Sequence, residues 1–480
     1  MPLQKPKSNT FFSNTFYIFI IRFFPSLANL IVILVYSHKL LPATYGAYQN
    51  FWISLSIFYP FACFGIHVLI INYNKATLVQ IVSKLKSSFY FLYALWLLIL
   101  CSLFGYLQWH FLTIPFYISF LLLLSFSISI IVEAILMVYK DFLRLIVVSA
   151  SFSVVYILLH IYVLYNGFSM VQIFYFVLFV TLAKLLFYSA MLKGKFNKIK
   201  KEIEAYDNFD IKKIKKLCLH LGIFDIIQML STYLDKFVIA FFLASGLSAI
   251  YYNGSMNIPF LPLLLSAAGS AVLLQLVAEH KQDNHSNLVS LMNESGRVLS
   301  CIVFPMFFFL LFFRDELIIN MFSEKYRAAI PVFLVSILVL PMRAYSYTTA
   351  LQRLHRGDII NIGAISELVI GCGLLYPLYL WKGLPGVAFS FVFSTYLQGL
   401  FYLFYTSKLL KVPIFSLIPY KNWILKLIFF AALFLCFRFI GIFYLTPIIT
   451  LILGSILLFL AIGFALMFEF IKHRKHGNNK

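Results

Sequence analysis

Apolar runs of about twenty residues recur from one end of this sequence to the other, with few charges inside them. Each run is long enough to cross a hydrocarbon core of roughly 30 Å as an α-helix. Of the 480 residues, 62% are hydrophobic and 11% are charged, whereas about 25% are charged in an ordinary soluble protein. The sequence therefore predicts an all-α integral membrane protein without a separate soluble domain.

Fourteen helices are predicted from these runs, at 14–36, 48–71, 88–107, 113–138, 145–165, 170–190, 219–243, 255–278, 298–319, 330–351, 361–380, 385–406, 423–443 and 447–471. They group into two pseudo-symmetric six-helix lobes and two C-terminal helices. The N-terminal lobe covers 1–190, a basic cytoplasmic linker covers 191–218, the C-terminal lobe covers 219–412, and the last two helices with a basic tail cover 413–480. We expect the linker to be a solvated connector, because basic runs beside membrane helices usually set their orientation.

The positions of lysine and arginine predict the orientation of the helices. With the N-terminus inside, the inner segments carry 27 of the 38 lysine and arginine residues, and the outer loops carry few. This bias follows the positive-inside rule, and a miscounted helix would reverse it in every later loop. Because fourteen is even, both termini are expected in the cytoplasm. The net charge of +21 then reflects topology and does not indicate a nucleic-acid partner.

The two predicted lobes carry a similar stretch after their first helix. The segments LLPATYGAYQN at 40–50 and LASGLSAIYYN at 243–253 align at an offset of 203 residues, which pairs Tyr48 with Tyr251. The prolines of the following helices, Pro60 and Pro262, fall within one residue of the same offset. Internal repeats around a central site are typical of secondary transporters.

Charged side chains inside the predicted helices are candidates for function, because a charge at the bilayer centre costs on the order of 3 kcal/mol on insertion scales. The candidates for substrate binding in a cavity are Arg22, Asp225, Asp235, Lys236, Arg343 and Lys184. The candidates for a coupling ion are Glu133, Asp225 and Glu367.

The offset of 203 residues places Arg22 at the position equivalent to Asp225. Opposite charges at equivalent places in two lobes would face one another across a central cleft, although a static ion pair between helices 1 and 7 is the alternative. Arg343 and Glu367 lie at similar depths on consecutive helices, which favours a structural ion pair.

Two further candidates, Lys184 and Glu133, lie within two turns of the predicted inner interface. Their side chains are long enough to extend towards the headgroups, which would give them no role in a cavity. The other reading is that they contribute to the cavity or to ion coupling.

Residue patterns for catalysis and metal binding do not occur in the sequence. Ten histidines and six cysteines show no metal-ligand spacing, and no Ser-His-Asp set, phosphate-binding glycine loop or catalytic carboxylate pair is recognisable. The predicted outer loops are too short to carry the active site of a polymerase or glycosyltransferase. We therefore expect no enzymatic activity, no metal and no cofactor.

Several motifs resemble those of a known family in their order and spacing. They are SHKLLPATYGAYQNF at 37–51, STYLDKFVIAFFLA at 231–244, MFSEKYRAAIPVFLVSIL at 321–338, LQRLHRGD at 351–358 and KGLPGVAFSFVFS at 382–394. Together they resemble the bacterial polysaccharide (O-antigen type) flippases of the multidrug/oligosaccharidyl-lipid/polysaccharide exporter superfamily. Lys39 stands where arginine is common, and Asp225 stands where we would expect a neutral residue.

The resemblance implies alternating access between two six-helix lobes that enclose a cavity, with two peripheral C-terminal helices. The implied substrate is a polyprenyl-pyrophosphate-linked oligosaccharide, an O-antigen, capsule or exopolysaccharide unit, moved from the cytoplasmic to the outer leaflet of the bacterial inner membrane. Membrane lipids, a polysaccharide polymerase and chain-length machinery are the implied partners. A pyrophosphate that leaves water needs cations, and those available are Arg22, Lys236, Arg343 and Lys184.

Two alternative functions remain open at this point. One is a cation-coupled multidrug exporter of the same superfamily, in which Asp225 and Glu133 carry the ion or proton. The other is a membrane scaffold without transport activity, which the charges inside the helices and the internal repeat disfavour.

Overall fold

The computed structural model describes residues 8–71, 75–167, 169–199, 211–256, 285–354 and 356–477. Every regular element in these residues is a helix. Residues 200–210 of the predicted linker and most of the predicted helix at 255–278, with Pro262, lie outside the described residues.

The chain divides into two compact units, residues 1–249 and 250–480. The helices of the first unit are α1 (Ser8–Lys39), α2 (Pro42–Cys63), α3 (Ile66–Ile71), α4 (Lys75–Lys84), α5 (Ser87–Leu112), α6 (Phe116–Val138), α7 (Phe142–Tyr165), α8 (Met170–Ile199), α9 (Ile211–Phe242) and the first half of α10 (Ser245–Gly254). Because the boundary falls at residue 249, α9 groups with the first unit; the lobes predicted at 1–190 and 219–412 stay a prediction.

The second unit contains the rest of α10 and nine further helices. They are α11 (His285–Phe312), α12 (Arg314–Phe322), α13 (Ile330–Ser336), α14 (Thr349–Arg353), α15 (Gly357–Lys382), α16 (Leu384–Leu410), α17 (Ile414–Leu417), α18 (Tyr420–Tyr444) and α19 (Pro447–Gly477), with 3₁₀ segments at Glu324–Ala329 and Ile337–Ala344. Helices α18 and α19 pack on α11, where the rings of Phe304 and Trp423 meet edge to face at 5.6 Å.

Eleven segments of the described chain are long and apolar enough to cross a membrane, and each coincides with one of the predicted helices. Of the other three, the predicted helix at 48–71 corresponds to α2 and α3, and that at 219–243 lies in the long helix α9. The third is the helix at 255–278. The all-α, multi-pass class is therefore confirmed, and the count of fourteen stays a prediction.

Helix 2 is shorter than the sequence predicts. A continuous helix over 48–71 is wrong, because α2 ends at Cys63 and a new helix begins at Ile66. Between them, Phe64 and Gly65 have left-handed backbone conformations with φ of 43° and 69°. A right-handed helix cannot continue through such residues, which commonly end helices.

The predicted helix at 330–351 is also wrong as a continuous element. Its α-helical part ends at Ser336, and a 3₁₀ segment that contains Pro341 follows over Ile337–Ala344. Proline supplies no backbone N–H and its ring crowds the preceding turn, so an α-helix is interrupted there.

The paired positions of the internal repeat are buried to the same degree. Tyr48 and Tyr251 are both fully buried, and the aligned Asn50 and Asn253 are 3% and 2% exposed. Equal burial at aligned positions supports a structural origin of the sequence repeat.

Candidate functional site

The break after α2 is held by side chains of the neighbouring helix α5. The hydroxyl of Tyr93 donates to the carbonyl oxygen of Ala62, and the indole N–H of Trp96 donates to that of Phe61, both at 2.9 Å. The last carbonyl groups of a helix have no partner within it, and in a membrane no water replaces that partner. These bonds therefore stabilise an interruption that would be costly in lipid.

The same break makes a close backbone contact with α9, which we name the α2–α9 seam. A Cβ atom on Gly65 would overlap the backbone nitrogen of Gly222, and a Cβ atom on Gly222 would lie 2.9 Å from the carbonyl oxygen of Phe64. The Cys218 thiol donates to that oxygen at 3.6 Å. Two glycines are thus required for this approach of the two segments.

A close histidine–carboxylate contact lies beside the seam. Nε2 of His67 in α3 is 3.7 Å from Oδ2 of Asp225 in α9, and the two side chains are 16% and 14% exposed. Nδ1 of His67 and Oδ2 of Asp225 have no hydrogen-bond partner among the described residues. Buried polar atoms in a permanent core contact are nearly always hydrogen-bonded. This pair is therefore a candidate for a contact that changes during function.

Arg22 of α1 lies near His67 and Asp225. Its side chain is exposed, and its positive charge is close enough to interact electrostatically with both Tyr59 and His67. The charge of Asp225 also acts on Tyr59. We name Arg22, Tyr59, His67 and Asp225 the Arg22 cluster. Arg22 forms no ion pair within the described residues. The carboxylate of Asp225 contacts His67 and not Arg22.

The cluster agrees only in part with the sequence prediction. Arg22 and Asp225 act on a common group of side chains, but they are not paired with one another. His67 was missed, because a single histidine in an apolar run has no partner within helical spacing that would identify it. That Arg22 and Asp225 bind substrate stays a prediction.

The charges of Glu133 and Lys184 neutralise each other inside the first unit. The ammonium of Lys184 in α8 is 3.5 Å from Oε2 of Glu133 in α6. The hydroxyl of Tyr188 donates to the same oxygen at 2.9 Å, and the ammonium lies 5.1 Å from the centre of the Tyr188 ring. The two side chains pair with one another between two helices. This arrangement favours a structural role.

The adjacent residues Asp235 and Lys236 of α9 also form an ion pair. The ammonium lies 3.3 Å from Oδ2 of the carboxylate, and each side chain is 9% exposed. The cation of Lys236 is therefore compensated within its own helix.

In the second unit, Glu367 of α15 is held by neutral donors from α16. The Thr395 hydroxyl donates to one carboxylate oxygen at 2.6 Å, and the Gln398 amide donates to the other at 2.7 Å. The expected ion pair with Arg343 is wrong, because the described residues place no cation within 4.0 Å of Glu367. Arg343 is exposed, and its charge acts on Glu367 without direct contact.

Two more ion pairs attach the C-terminal helices. The ammonium of Lys426 in α18 is 2.9 Å from Oε1 of Glu469 in α19, and it also donates to the carbonyl oxygen of Arg297 in α11 at 2.7 Å. Arg438 of α18 pairs with Glu316 of α12. These contacts satisfy their charges where three helices meet, which is typical of structural pairs.

The arrangement of helices is similar to that of several solved membrane transporters. The chain is similar to the lipid II flippase MurJ in an inward closed conformation, with a TM-score of 0.65 and 16% identity over 94% of this chain and 99% of that chain. It is similar to a multidrug resistance transporter of the MATE family in an inward-facing conformation, with a TM-score of 0.55 and 15% identity over 82% and 98%. It is also similar to a MOP superfamily transporter from Pyrococcus furiosus with a binding pocket of reverse polarity, with a TM-score of 0.55 and 16% identity over 83% and 94%. At these identities the likeness shows the fold, which is that of the MOP superfamily.

The sequence family is narrower than the fold. A family model described as polysaccharide biosynthesis protein matches residues 39–331, more than half of the chain. The chain belongs to this family of polysaccharide biosynthesis proteins, which confirms the family suggested by the motifs. No curated protein matches the sequence.

Proposed function

We propose that this protein is a flippase that moves a polyprenyl-pyrophosphate-linked oligosaccharide from the cytoplasmic to the outer leaflet by alternating access. Membership of a polysaccharide biosynthesis family supports a substrate that carries a saccharide. The fold of the MOP superfamily supports transport, and MurJ, which has this fold, is a lipid II flippase. The proposed location is the bacterial inner membrane with both termini in the cytoplasm, and the proposed partners are a polysaccharide polymerase and chain-length machinery.

The observation that carries this proposal is the state of Arg22. A guanidinium inside an apolar helix requires compensation, and Arg22 has no ion-pair partner among the described residues. A pyrophosphate presents oxygens that a guanidinium binds with two parallel hydrogen bonds. We propose that Arg22 contacts the pyrophosphate while the lipid tail stays in the bilayer.

Asp225 and His67 have a second role in this proposal. A carboxylate beside a phosphate-binding guanidinium would repel the substrate, and a proton on the neighbouring His67 would offset that charge. The α2–α9 seam lies next to the pair, at the predicted cytoplasmic ends of helices 2 and 7. Opening the seam would separate His67 from Asp225 and give the substrate access to Arg22.

The first test is deletion of the gene. Cells without the protein should lose surface polysaccharide and accumulate lipid-linked oligosaccharide in the inner leaflet, while their sensitivity to drugs stays unchanged. Normal surface glycan in the deletion strain would exclude the proposed function.

The second test compares arginine variants in the deletion strain. Arg22→Ala should reduce flipping by about tenfold or more, because charge-assisted hydrogen bonds contribute about 1.5–3 kcal/mol each. Arg22→Lys should keep part of the activity, since it retains the charge but not the bidentate geometry. Arg144→Ala is the matched control, because Arg144 is 70% exposed and pairs only with Asp141. Membrane levels should be equal in all variants, and equal flipping by Arg22→Ala and Arg144→Ala would contradict the role of Arg22.

A multidrug exporter coupled to protons is the second candidate. It is favoured by the His67–Asp225 pair, whose two members both exchange protons and which lies between two helices. In that case the deletion strain would become sensitive to drugs and keep its surface polysaccharide.

A further inference from the structure

A second polar group lies in the first unit, near the opposite end of α2. His160 of α7 is 3% exposed. Its Nε2 lies 3.1 Å from the Tyr48 hydroxyl, and its Nδ1 lies 2.8 Å from the carbonyl oxygen of Tyr156. The hydroxyl groups of Tyr48 and Tyr156 are 3.0 Å apart. We name these three residues the His160 relay.

The partners of the relay determine which atoms carry hydrogen. A carbonyl oxygen can only accept, so Nδ1 of His160 must donate to Tyr156. In a neutral imidazole Nε2 is then an acceptor, and the Tyr48 hydroxyl donates to it. The oxygen of Tyr48 in turn accepts from the hydroxyl of Tyr156. Every polar atom of the relay therefore has a partner when His160 is neutral.

A proton on Nε2 reverses this chain of hydrogen bonds. The new N–H must donate to the Tyr48 oxygen, so the Tyr48 hydroxyl has to rotate and donate to that of Tyr156. The Tyr156 hydrogen then has no acceptor among the described residues. The protonated relay thus contains one unsatisfied donor and one buried positive charge, and both are costly in an apolar interior.

The described surroundings of His160 contain no counter-ion for this charge. The titratable groups that face it are Tyr36 from α1, Tyr48 from α2 and Tyr156 from its own helix. The apolar ring of Phe174 from α8 stacks on Tyr48. No described carboxylate, lysine or arginine interacts with His160. A crevice beside it, lined by Val163 and by apolar residues of α8, has no room for a water molecule.

The relay lies close to a second tight contact of α2, which we name the α2–α10 seam. A Cβ atom on Gly46 would overlap the carbonyl oxygen of Ser245 and would lie 3.3 Å from Cβ of Ala249. Gly46 is only two residues from Tyr48. Both residues lie in the first two turns of α2, so a shift of this end of the helix would change the relay and the seam together.

We propose that His160 is a proton-binding site that controls the α2–α10 seam. The neutral imidazole stabilises the closed seam, and protonation favours an arrangement in which α2 moves and His160 reaches water. The site lies at the predicted outer end of α2 and α7, so protons from outside would promote opening there. Its use as the coupling site of transport rests on the proposed function, whereas proton-dependent opening of the seam does not.

Hydrogen–deuterium exchange of the purified full-length protein tests this proposal without any substrate. Backbone exchange over residues 42–52, which cover the start of α2, is compared between wild type and His160→Gln. Glutamine stays neutral and can still donate and accept. At about pH 5.5 the wild type should exchange roughly threefold faster than His160→Gln, and at about pH 8 the two should be equal. Comparison at one pH removes the intrinsic pH dependence of exchange.

His110→Gln is the matched control, because His110 also lies at the predicted outer end of a helix and is exposed. It should exchange like the wild type at both pH values. Equal exchange of wild type and His160→Gln at the lower pH would overturn the proposal, as would loss of the pH effect in His110→Gln. The wild type alone gives a further measurement that needs no variant. If its exchange over 42–52, corrected for the intrinsic rate, does not rise as pH falls, the proposal is wrong even where flipping is normal.

Discussion

Charged side chains inside the spans differ in whether an opposite charge lies beside them. Glu133 and Lys184 form an ion pair at 3.5 Å, whereas Arg22 has no ion-pair partner in the described part of the chain. A paired charge is a poor candidate for binding a substrate anion, because the substrate would have to displace the partner. An unpaired one is a good candidate, since it gains compensation only when an anion arrives.

The pairing of Glu133 with Lys184 predicts a pattern of stabilities. Glu133→Gln or Lys184→Gln alone should lower the stability by about 2 kcal/mol, because each leaves a charge without its partner. The loss is smaller than for a fully buried pair, since the side chains are 22% and 24% exposed. The double variant should recover most of the loss, and thermal unfolding in detergent measures all three proteins.

The control for that pair is Arg144→Gln, which breaks the ion pair with Asp141 at a side chain that is 70% exposed and should change the melting temperature little. A double variant no more stable than the single variants would show that the two charges do not compensate one another.

Among the elements, α2 has tight contacts at both ends. Gly65 meets Gly222 of α9 at one end, and Gly46 meets Ser245 of α10 at the other. Each contact depends on a glycine. A histidine lies near each one: His67 follows Gly65 by two residues, and His160 of α7 is hydrogen-bonded to Tyr48. Both proposals therefore involve a movement of helix α2, one at each of its ends.

The α2–α9 seam gives a prediction for a single methyl group. In Gly222→Ala the new Cβ would lie 2.9 Å from the carbonyl oxygen of Phe64, so the two segments must separate. The hydrogen bond from Cys218 to Phe64 would weaken. The native thiol of Cys218 should then react roughly threefold faster with a maleimide, as followed by mass spectrometry of its peptide. Gly373→Ala, where a Cβ meets nothing within 4 Å, should leave the rate unchanged. An unchanged rate in Gly222→Ala would show that the seam tolerates a side chain.

Sequence patterns predicted the elements better than their interruptions. Eleven spans were recognisable because twenty apolar residues in a row have few other uses. The interruption at Pro341 has a visible signal, since proline ends helices. The interruption at Phe64 has a weaker signal, because glycine, which follows it at Gly65, is also frequent within membrane helices. The break is stabilised by contacts with α5 and α9, which a single sequence does not reveal.

The candidate site was predictable in its charges but not in its partners. Arg22 and Asp225 stand out as charges in apolar runs. That Asp225 pairs with His67, and Glu367 with Thr395, depends on how helices distant in sequence pack. His67 itself carries no signal in a single sequence.

For the whole molecule, the charge distribution predicts the topology. The family model identifies a polysaccharide biosynthesis protein, and its fold is shared with solved transporters of the MOP superfamily. Both proposals depend on sidedness, because the pyrophosphate must enter near the α2–α9 seam from the cytoplasm and protons must reach the α2–α10 seam from outside. The excess of lysine and arginine in the predicted inner segments gives that orientation.

Reporter fusions test the orientation directly. Reporters placed after residues 80, 205, 285 and 478 should be active in the cytoplasm, and those placed after 166 and 249 should be active outside. The fusion after 249 is the most informative, because it follows α9 and lies next to the α2–α10 seam. If it reports the cytoplasm, this seam faces inward and the proposed source of protons for His160 is wrong. If the fusion after 80 reports the outside, the α2–α9 seam cannot admit a cytoplasmic substrate, and the role of Arg22 in flipping fails with it.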